Sequence, residues 1–288
     1  MDSGAVVEWF RTNARDLPWR RPGFSAWGTL VSEFMLQQTP VSRVVPILED
    51  WLQRWPTPAD LAAAPPAEVL RAWGRLGYPR RALALHAAAT AIAERHGNEV
   101  PEDVDALLAL PGIGDYTARA VAVFAHGSRH PVVDTNVRRV LARAVEGRAQ
   151  PDAPNSRRDL SAMAALLPHD LLAQRAFNAG VMELGAIVCT ARTPRCAECP
   201  LADSCAWRAL GYPAAEGPPA RRQARFEGSD RQRRGLVLAE LRAAHVPVRD
   251  EELAVVLPDA EARDRVLLGL VADGLAERVD GGWALPAG

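Results

Sequence analysis

Apolar residues recur at helical spacing through the first two hundred positions of the chain. Val6, Val7 and Phe10 predict one helix; Leu30, Phe34 and Met35, then Val44, Val45, Leu48 and Leu52, predict two more. Leu83, Leu85, Ala89 and Ile92 continue the pattern, and Leu184, Ile187 and Val188 close the last helix before a run of cysteines. Prolines interrupt it at Pro40, Pro56, Pro58, Pro65, Pro66, Pro79, Pro101 and Pro111. Alternating apolar and polar positions do not occur before residue 270, so residues 1–208 predict an all-α domain of about ten helices. Residues 209–229 are rich in Pro and Arg with few apolar anchors, the profile of a linker. Residues 230–288 predict a small α+β domain of winged-helix-like order. Its helices fall over Gly235–Ala244, Glu251–Val256 and Ala260–Leu275, followed by strands on either side of a turn at Asp280-Gly281-Gly282.

Charge sharpens this picture in two ways. The 288 residues carry 34 basic and 35 acidic side chains, and every basic one is arginine. A Schiff base needs a free amine, and apart from the Met1 α-amine this sequence offers none. Lysine aldolases, pyridoxal enzymes, lysine-dependent phosphate loops and DNA lyases that use an internal lysine are excluded. The second point is distribution: residues 221–234 hold six Arg against two acids, while 235–288 hold five against ten. The basic stretch suits phosphate; the small domain is poorly suited to DNA. No apolar run reaches the ~18 residues of a membrane span, and Met1–Arg20 lacks a signal peptide's apolar stretch, so a soluble, cytoplasmic protein without a membrane partner is expected.

Three groups of residues carry chemistry. Cys189, Cys196, Cys199 and Cys205 crowd into 17 positions, which in a cytosolic protein argues for a metal centre over disulfides. One tight pair with a single cysteine on each side suits an iron–sulfur cubane better than the paired knuckles of zinc. Leu110-Pro111-Gly112-Ile113-Gly114 precedes a helix opened by Asp115; it is either an ordinary turn or a phosphate grip made of backbone amides. Among the acids, Asp134 stands at a helix start, where a capping role and a catalytic one can coexist. Glu33, between apolar neighbours, either faces solvent or is a buried acid in the protonated form that general acid catalysis requires.

The cysteine spacing, preceded by Phe177-Asn178-Ala179-Gly180-Val181-Met182-Glu183-Leu184-Gly185 and followed by Pro200-Leu201, resembles the endonuclease III branch of the helix-hairpin-helix DNA glycosylases. Val31-Ser32-Glu33-Phe34-Met35-Leu36-Gln37-Gln38-Thr39 resembles the adenine-specific, MutY-type members of that superfamily. The resemblance spans residues 5–208. It implies a two-lobed all-α fold with a helix-hairpin-helix near 103–126 and a 4Fe–4S cluster held by the loop 189–205. It further implies a monomeric, nucleoid-associated bacterial base-excision enzyme acting on double-stranded DNA with A:8-oxoguanine or A:G mispairs. Glu33 would protonate the adenine and Asp134, supported by Asn136, would stabilise the cationic sugar. Tyr116 stands where bifunctional relatives carry the attacking lysine, which implies base release without strand cleavage.

The same likeness gives Leu110, Gly112, Ile113 and Gly114 the DNA backbone, Gln37 and Gln38 the base stack, and Tyr78 the opposing base. Leu36, Arg15, Trp19 and Arg20 would stand near the flipped adenine, although a core Trp and solvated arginines are the plainer reading of the last three. Two departures from the family pattern stand out. Pro79 and Arg80 replace a second tyrosine, and about 60 residues stand where a nudix-like domain of more than 100 is usual. The rival readings are a glycosylase for thymine or uracil opposite guanine and a non-catalytic DNA-binding scaffold.

Overall fold

Short polar side chains decide where most helices of this chain begin. The computed structural model describes residues 1–215 and 226–287, so the expected linker lies in part, at 216–225, outside the described residues. In chain order the elements are α1 (Ser3–Asn13), α2 (Ala26–Leu36), α3 (Val41–Arg54), α4 (Pro58–Ala62), α5 (Pro66–Trp73) and α6 (Arg80–Arg95). Then come α7 (Val104–Leu108), α8 (Asp115–Phe124), α9 (Thr135–Ala144), α10 (Ser156–Ala164), α11 (Leu171–Ile187) and α12 (Ala206–Ala209). Last are α13 (Asp230–Ala243), α14 (Asp250–Val256), α15 (Ala260–Ala272), β1 (Glu277–Val279) and β2 (Gly282–Ala284). Asp2, Asp103, Asp134, Asn155 and Asp170 each accept a backbone amide at the start of the helix that follows. Each satisfies a donor that the first helical turn would otherwise leave unpaired. No helix among the described residues is long and apolar enough to cross a membrane.

The chain folds into two compact units. One comprises Met1–Thr29, Pro101–Ala109 and the chain from Ile113 through the cysteine segment. Its core gathers Val6, Val137, Leu141, Met163, Phe177, Val181 and Leu184, all under 5% exposed. α11 is its spine, because α1 and α9 both pack on it. Glycines admit both neighbours. A Cβ at Gly180 would come within 2.9 Å of Val6, and one at Gly185 within 2.7 Å of the Asn136 Cβ.

The second unit comprises Leu30–Val100, Leu110–Gly112 and the C-terminal segment. Fully buried Leu30, Phe34, Leu48, Leu61, Leu70, Trp73 and Leu85 build its interior. Trp51 sits edge-on between Trp55 and Trp73, with ring centroids 4.7 and 5.7 Å away. α14 and α15 pack on α13, which also lies against α5. α13 starts at Asp230, five residues before the expected Gly235, because Ser229 caps it by accepting the Gln232 amide. The hairpin pairs Glu277 with Ala284, Arg278 with Trp283 and Val279 with Gly282. A Cβ at Gly282 would fall 2.3 Å from the Val248 carbonyl oxygen, so only glycine lets β2 lie against that segment.

Candidate active site and DNA-contact residues

In the first unit, Asp134 is an N-cap with a reinforced carboxylate. Its Oδ1 accepts the Val137 amide at 2.7 Å, and its Oδ2 accepts the Asn136 side-chain amide at 2.8 Å. Asn136 is fixed in turn by Arg139, whose Nη2 donates to Asn136 Oδ1 at 2.8 Å and to the Gly185 carbonyl at 2.7 Å. Arg139 Nε donates to the carbonyl of Cys189 at 2.8 Å. Burial pushes the Asp134 carboxyl above its ordinary range, and the hydrogen bonds from Val137 and Asn136 and the Arg139 charge oppose that rise. The segment leading into Asp134 is held by Asn178 on α11. Fully buried, Asn178 accepts the Val132 amide at 2.8 Å and donates to the His130 carbonyl at 3.2 Å.

Arg15 and Arg20, expected near a flipped base, converge on Glu183 of α11. Arg15 forms a two-pronged pair at 2.7 Å through Nε and Nη2, and Arg20 adds contacts at 3.1 and 2.9 Å. Burial works against ionisation of Glu183, but the two guanidiniums outweigh it and hold the carboxyl at about 2. Trp19 is half-buried in a short 3₁₀ turn, Pro18–Arg20. Tyr116, on the first turn of α8, packs against a cluster of Ala120, Val123 and Val132.

The four cysteine side chains line one cavity together with Arg143, Pro194 and Trp207. Burial raises the Cys189 and Cys199 thiols, the latter to about 11. Arg143, itself only 3% exposed, faces them: its Nη1 lies 3.5 Å from Cys189 Sγ and donates to the Thr190 carbonyl, while Nη2 donates to that of Ala191. Soft sulfur donors lining one cavity beside a fixed cation suit a negatively charged thiolate-ligated cluster, which would require the deprotonated thiols that burial alone disfavours.

In the second unit, Glu33 lies on the inward side of α2 and is 8% exposed, which settles its sequence-level ambiguity in favour of burial. Leu36 ends the same helix, half-buried, and Gln37 follows it. Gln38 and Tyr78 are both exposed and both left-handed, with φ of 56° and 46°. Non-glycine residues hold that conformation only where their surroundings enforce it. Arg81 is the enforcing group. Its Nη1 donates to the carbonyls of Phe34, Met35 and Gln37, and its Nη2 to Thr39 Oγ1 and the Gly77 carbonyl. Its guanidinium also lies 5.3 Å from the ring centres of Trp73 and Tyr78, and burial lowers its pKa to about 10.

The glycine turn rests on the same helix as Glu33. Leu110 is buried, and Gly112, at φ 74°, would drive a Cβ to 2.7 Å from Ala84 Cβ and 3.1 Å from the Phe34 ring. Gly114 has a φ of −100°, which suits any residue, and a Cβ there would meet nothing within 4 Å. Gly114 caps α8 without a side-chain oxygen, so first-turn amides are left for an outside acceptor. Ile113, between the glycines, is buried.

Residues 31–165 match the HhH-GPD superfamily base excision DNA repair protein, and residues 189–205 match the iron-sulfur binding domain of endonuclease III. Over 283 residues the chain is 58% identical to the adenine DNA glycosylase of Mycobacterium tuberculosis (strain ATCC 25618 / H37Rv), covering 98% of this chain and 92% of that one. The chain belongs to the adenine DNA glycosylase family. It is a hydrolase of base excision repair, and its cofactor is a 4Fe–4S cluster. Cys189, Cys196, Cys199 and Cys205, which share one cavity, are the residues that would hold the cluster, and Arg143 of α9 lines the same cavity.

Human adenine DNA glycosylase is 40% identical over 210 residues, 70% of this chain and 38% of that one. The thymine/uracil-DNA glycosylase of Pyrobaculum aerophilum is 37% identical over 203 residues, 69% of this chain and 88% of that one. Among solved structures, a thermostable thymine-DNA glycosylase matches with a TM-score of 0.66 and 28% identity, covering 72% of this chain and 95% of that one. A non-covalent endonuclease III–DNA complex, at 0.62 and 21%, covers 73% and 94% and shows the shared fold. The enzyme's sequence-predicted site residues thus divide by unit. Asp134, Asn136, Tyr116, Arg15, Trp19, Arg20 and the cysteines belong to the first; Glu33, Leu36, Gln37, Gln38, Tyr78, Leu110 and Gly112 belong to the second. Arg139, Asn178, Glu183 and Arg81 escaped the sequence reading. Only Asn178 and Glu183 lay inside a motif that could have flagged them.

Proposed function

We propose that the enzyme removes adenine mispaired with 8-oxoguanine or guanine from duplex DNA, acts as a monomer, and leaves an abasic site with the strand intact. The observation that carries this reading is the pair of differently housed carboxyls, Glu33 buried on α2 and Asp134 oriented by the Val137 and Asn136 amides at the start of α9. Glu33 delivers a proton to the extruded adenine. The C1′–N9 bond then breaks with its electron pair leaving on the purine. Asp134, ionised and held by Val137 and Asn136, faces the positive charge that develops on the sugar. Water adds to C1′ and its proton returns to the Glu33 carboxylate, which restores the acid. Tyr116 stands at the position of the attacking lysine in bifunctional relatives, and a phenol forms no Schiff base with the opened sugar.

The test is adenine release from an A:8-oxoguanine duplex under single-turnover conditions. Glu33→Gln and Asp134→Asn are each expected to slow release by at least ~10³-fold while mismatched duplex binding stays within a few-fold. Borohydride is expected to trap no covalent enzyme–DNA adduct. Release of uracil or thymine opposite guanine in preference to adenine would overturn the assignment, and binding without any excision would replace it with a scaffold.

A further inference from the structure

The C-terminal three-helix element meets the rest of its unit beside Tyr78. Asp273, the residue that ends α15, takes Arg80 Nη1 at 3.3 Å through Oδ1 and Arg234 Nη2 of α13 through Oδ2. Arg80 opens α6, two positions after Tyr78 and within the Pro79-Arg80 pair that departs from the family pattern. An acid is out of place at a helix C-terminus, where the helix dipole repels it, so this one is held by its two arginines. Gly269 leaves the space that the Arg234 guanidinium occupies, since a Cβ there would come within 2.7 Å of its Nη1. A second clamp secures the same face. Arg71 of α5 donates to the Arg242 carbonyl at 3.3 Å and to the Ala244 carbonyl at 2.9 Å, where α13 ends. Gly274 continues the contact, placing its Cα side against Leu83 of α6.

We infer that the C-terminal element is a brace for the opposite-base loop and that Asp273 is its positioning residue, setting through Arg80 how Tyr78 is presented. The inference rests on the reading of Tyr78 as the residue that meets the base opposite adenine. Tyr78 is already held from inside, by Arg81 and by the Trp73 indole N–H donating to the Gly77 carbonyl at 2.9 Å. Asp273 fixes the other side of the same short turn. A ring in a left-handed residue needs both supports to keep one orientation when a base presses on it. The C-terminal segment therefore contributes to recognition through Arg80 and the turn that carries Tyr78.

The measured quantity is the ratio of single-turnover adenine release from duplexes with guanine and with cytosine opposite the adenine, for the full cluster-loaded protein. Asp273→Asn is expected to lower the ratio about threefold, the scale of a partly exposed ion pair, with an unchanged cluster absorbance and melting temperature. Asp273→Glu is expected to restore it. In a Tyr78→Ala background, which lowers the ratio by itself, Asp273→Asn is expected to add nothing. A ratio that depends on Tyr78 and ignores Asp273 would overturn the brace alone, as would effects of the two substitutions that simply add. Wild-type protein that releases no adenine overturns the activity reading and the brace together.

Discussion

Asp134 and Tyr78 are both held in fixed positions, but by opposite means. Asp134 occupies a low-energy capping conformation, and two of its hydrogen-bond donors, Asn136 and Val137, lie within three residues. Tyr78 and Gln38 occupy left-handed backbone that neither residue favours, and the group that enforces it, Arg81, reaches back more than forty positions to the end of α2. On the proposed reading, the charged group that faces a transient cation is fixed by short-range bonds that form with the helix itself. The side chains that meet the duplex, on the same reading, are displayed instead on left-handed turns held by one central arginine. The two regions should therefore fail differently when cut.

The largest effect is expected at Arg81. Replacement by Ala strips donors from three carbonyls of the α2 end, from Thr39 and from Gly77 at once. Mismatched-duplex affinity should fall at least about tenfold in a gel-shift titration. Adenine release from the saturated complex should fall less, because Asp134 is untouched. Asn136→Ala should invert that pattern. Binding should hold while release slows by about tenfold. Burial already raises the Asp134 carboxyl, and Asn136 works to lower it. Removing that bond lifts the carboxyl further, and the active form is the ionised one, so the acid limb of the pH–rate profile should move to higher pH. An unmoved limb would detach Asn136 from the carboxylate.

A smaller and purely structural effect is expected at Gly112. Alanine there meets Ala84 at 2.7 Å in a left-handed backbone, which should cost roughly 1–3 kcal/mol and lower the melting temperature without altering the pH profile. The last effect, at Glu183, is present in full at neutral pH and disappears in acid. Its carboxyl, about 2 when folded, lies below the ordinary glutamate range. The stabilisation it supplies is complete above about pH 4.5 and is lost as the pH falls toward 2. Denaturant unfolding of wild type and Glu183→Gln should differ by a constant amount from pH 8 to 5 and converge below pH 4.

The same contrast explains what the sequence revealed. The cysteine spacing, Asp134 with Asn136, and the helical period around Glu33 are chain-local, so they could be read directly. Periodicity also located most helices and the Asp-Gly hairpin, because helix caps and tight turns depend on neighbours a few residues apart. Arg81 looked like any other arginine, since its acceptors are backbone carbonyls that no residue identity announces. Arg139 was equally silent: its partners include the Gly185 and Cys189 carbonyls, about fifty positions on. Arg15 and Arg20 were singled out, yet their common partner is Glu183, more than 160 positions away. Of the two glycines in the Gly112-Ile113-Gly114 turn, Gly112 alone has left-handed backbone, a difference that residue identity does not announce.

The notches at Gly180 and Gly185 carry a consequence for the order of assembly. α1 leaves the ribosome well before α11, yet Val6 and Val7 pack in the core that α11 completes, and α11 ends at Ile187. At 5–20 residues per second, the N-terminal helix waits roughly ten to thirty seconds for its partner. Meanwhile residues 30–100 emerge, and they too await the C-terminal segment that completes their unit. Each unit is thus closed by chain made late, and the nascent enzyme keeps an apolar helix uncovered until the residues just before the cysteines have been synthesised.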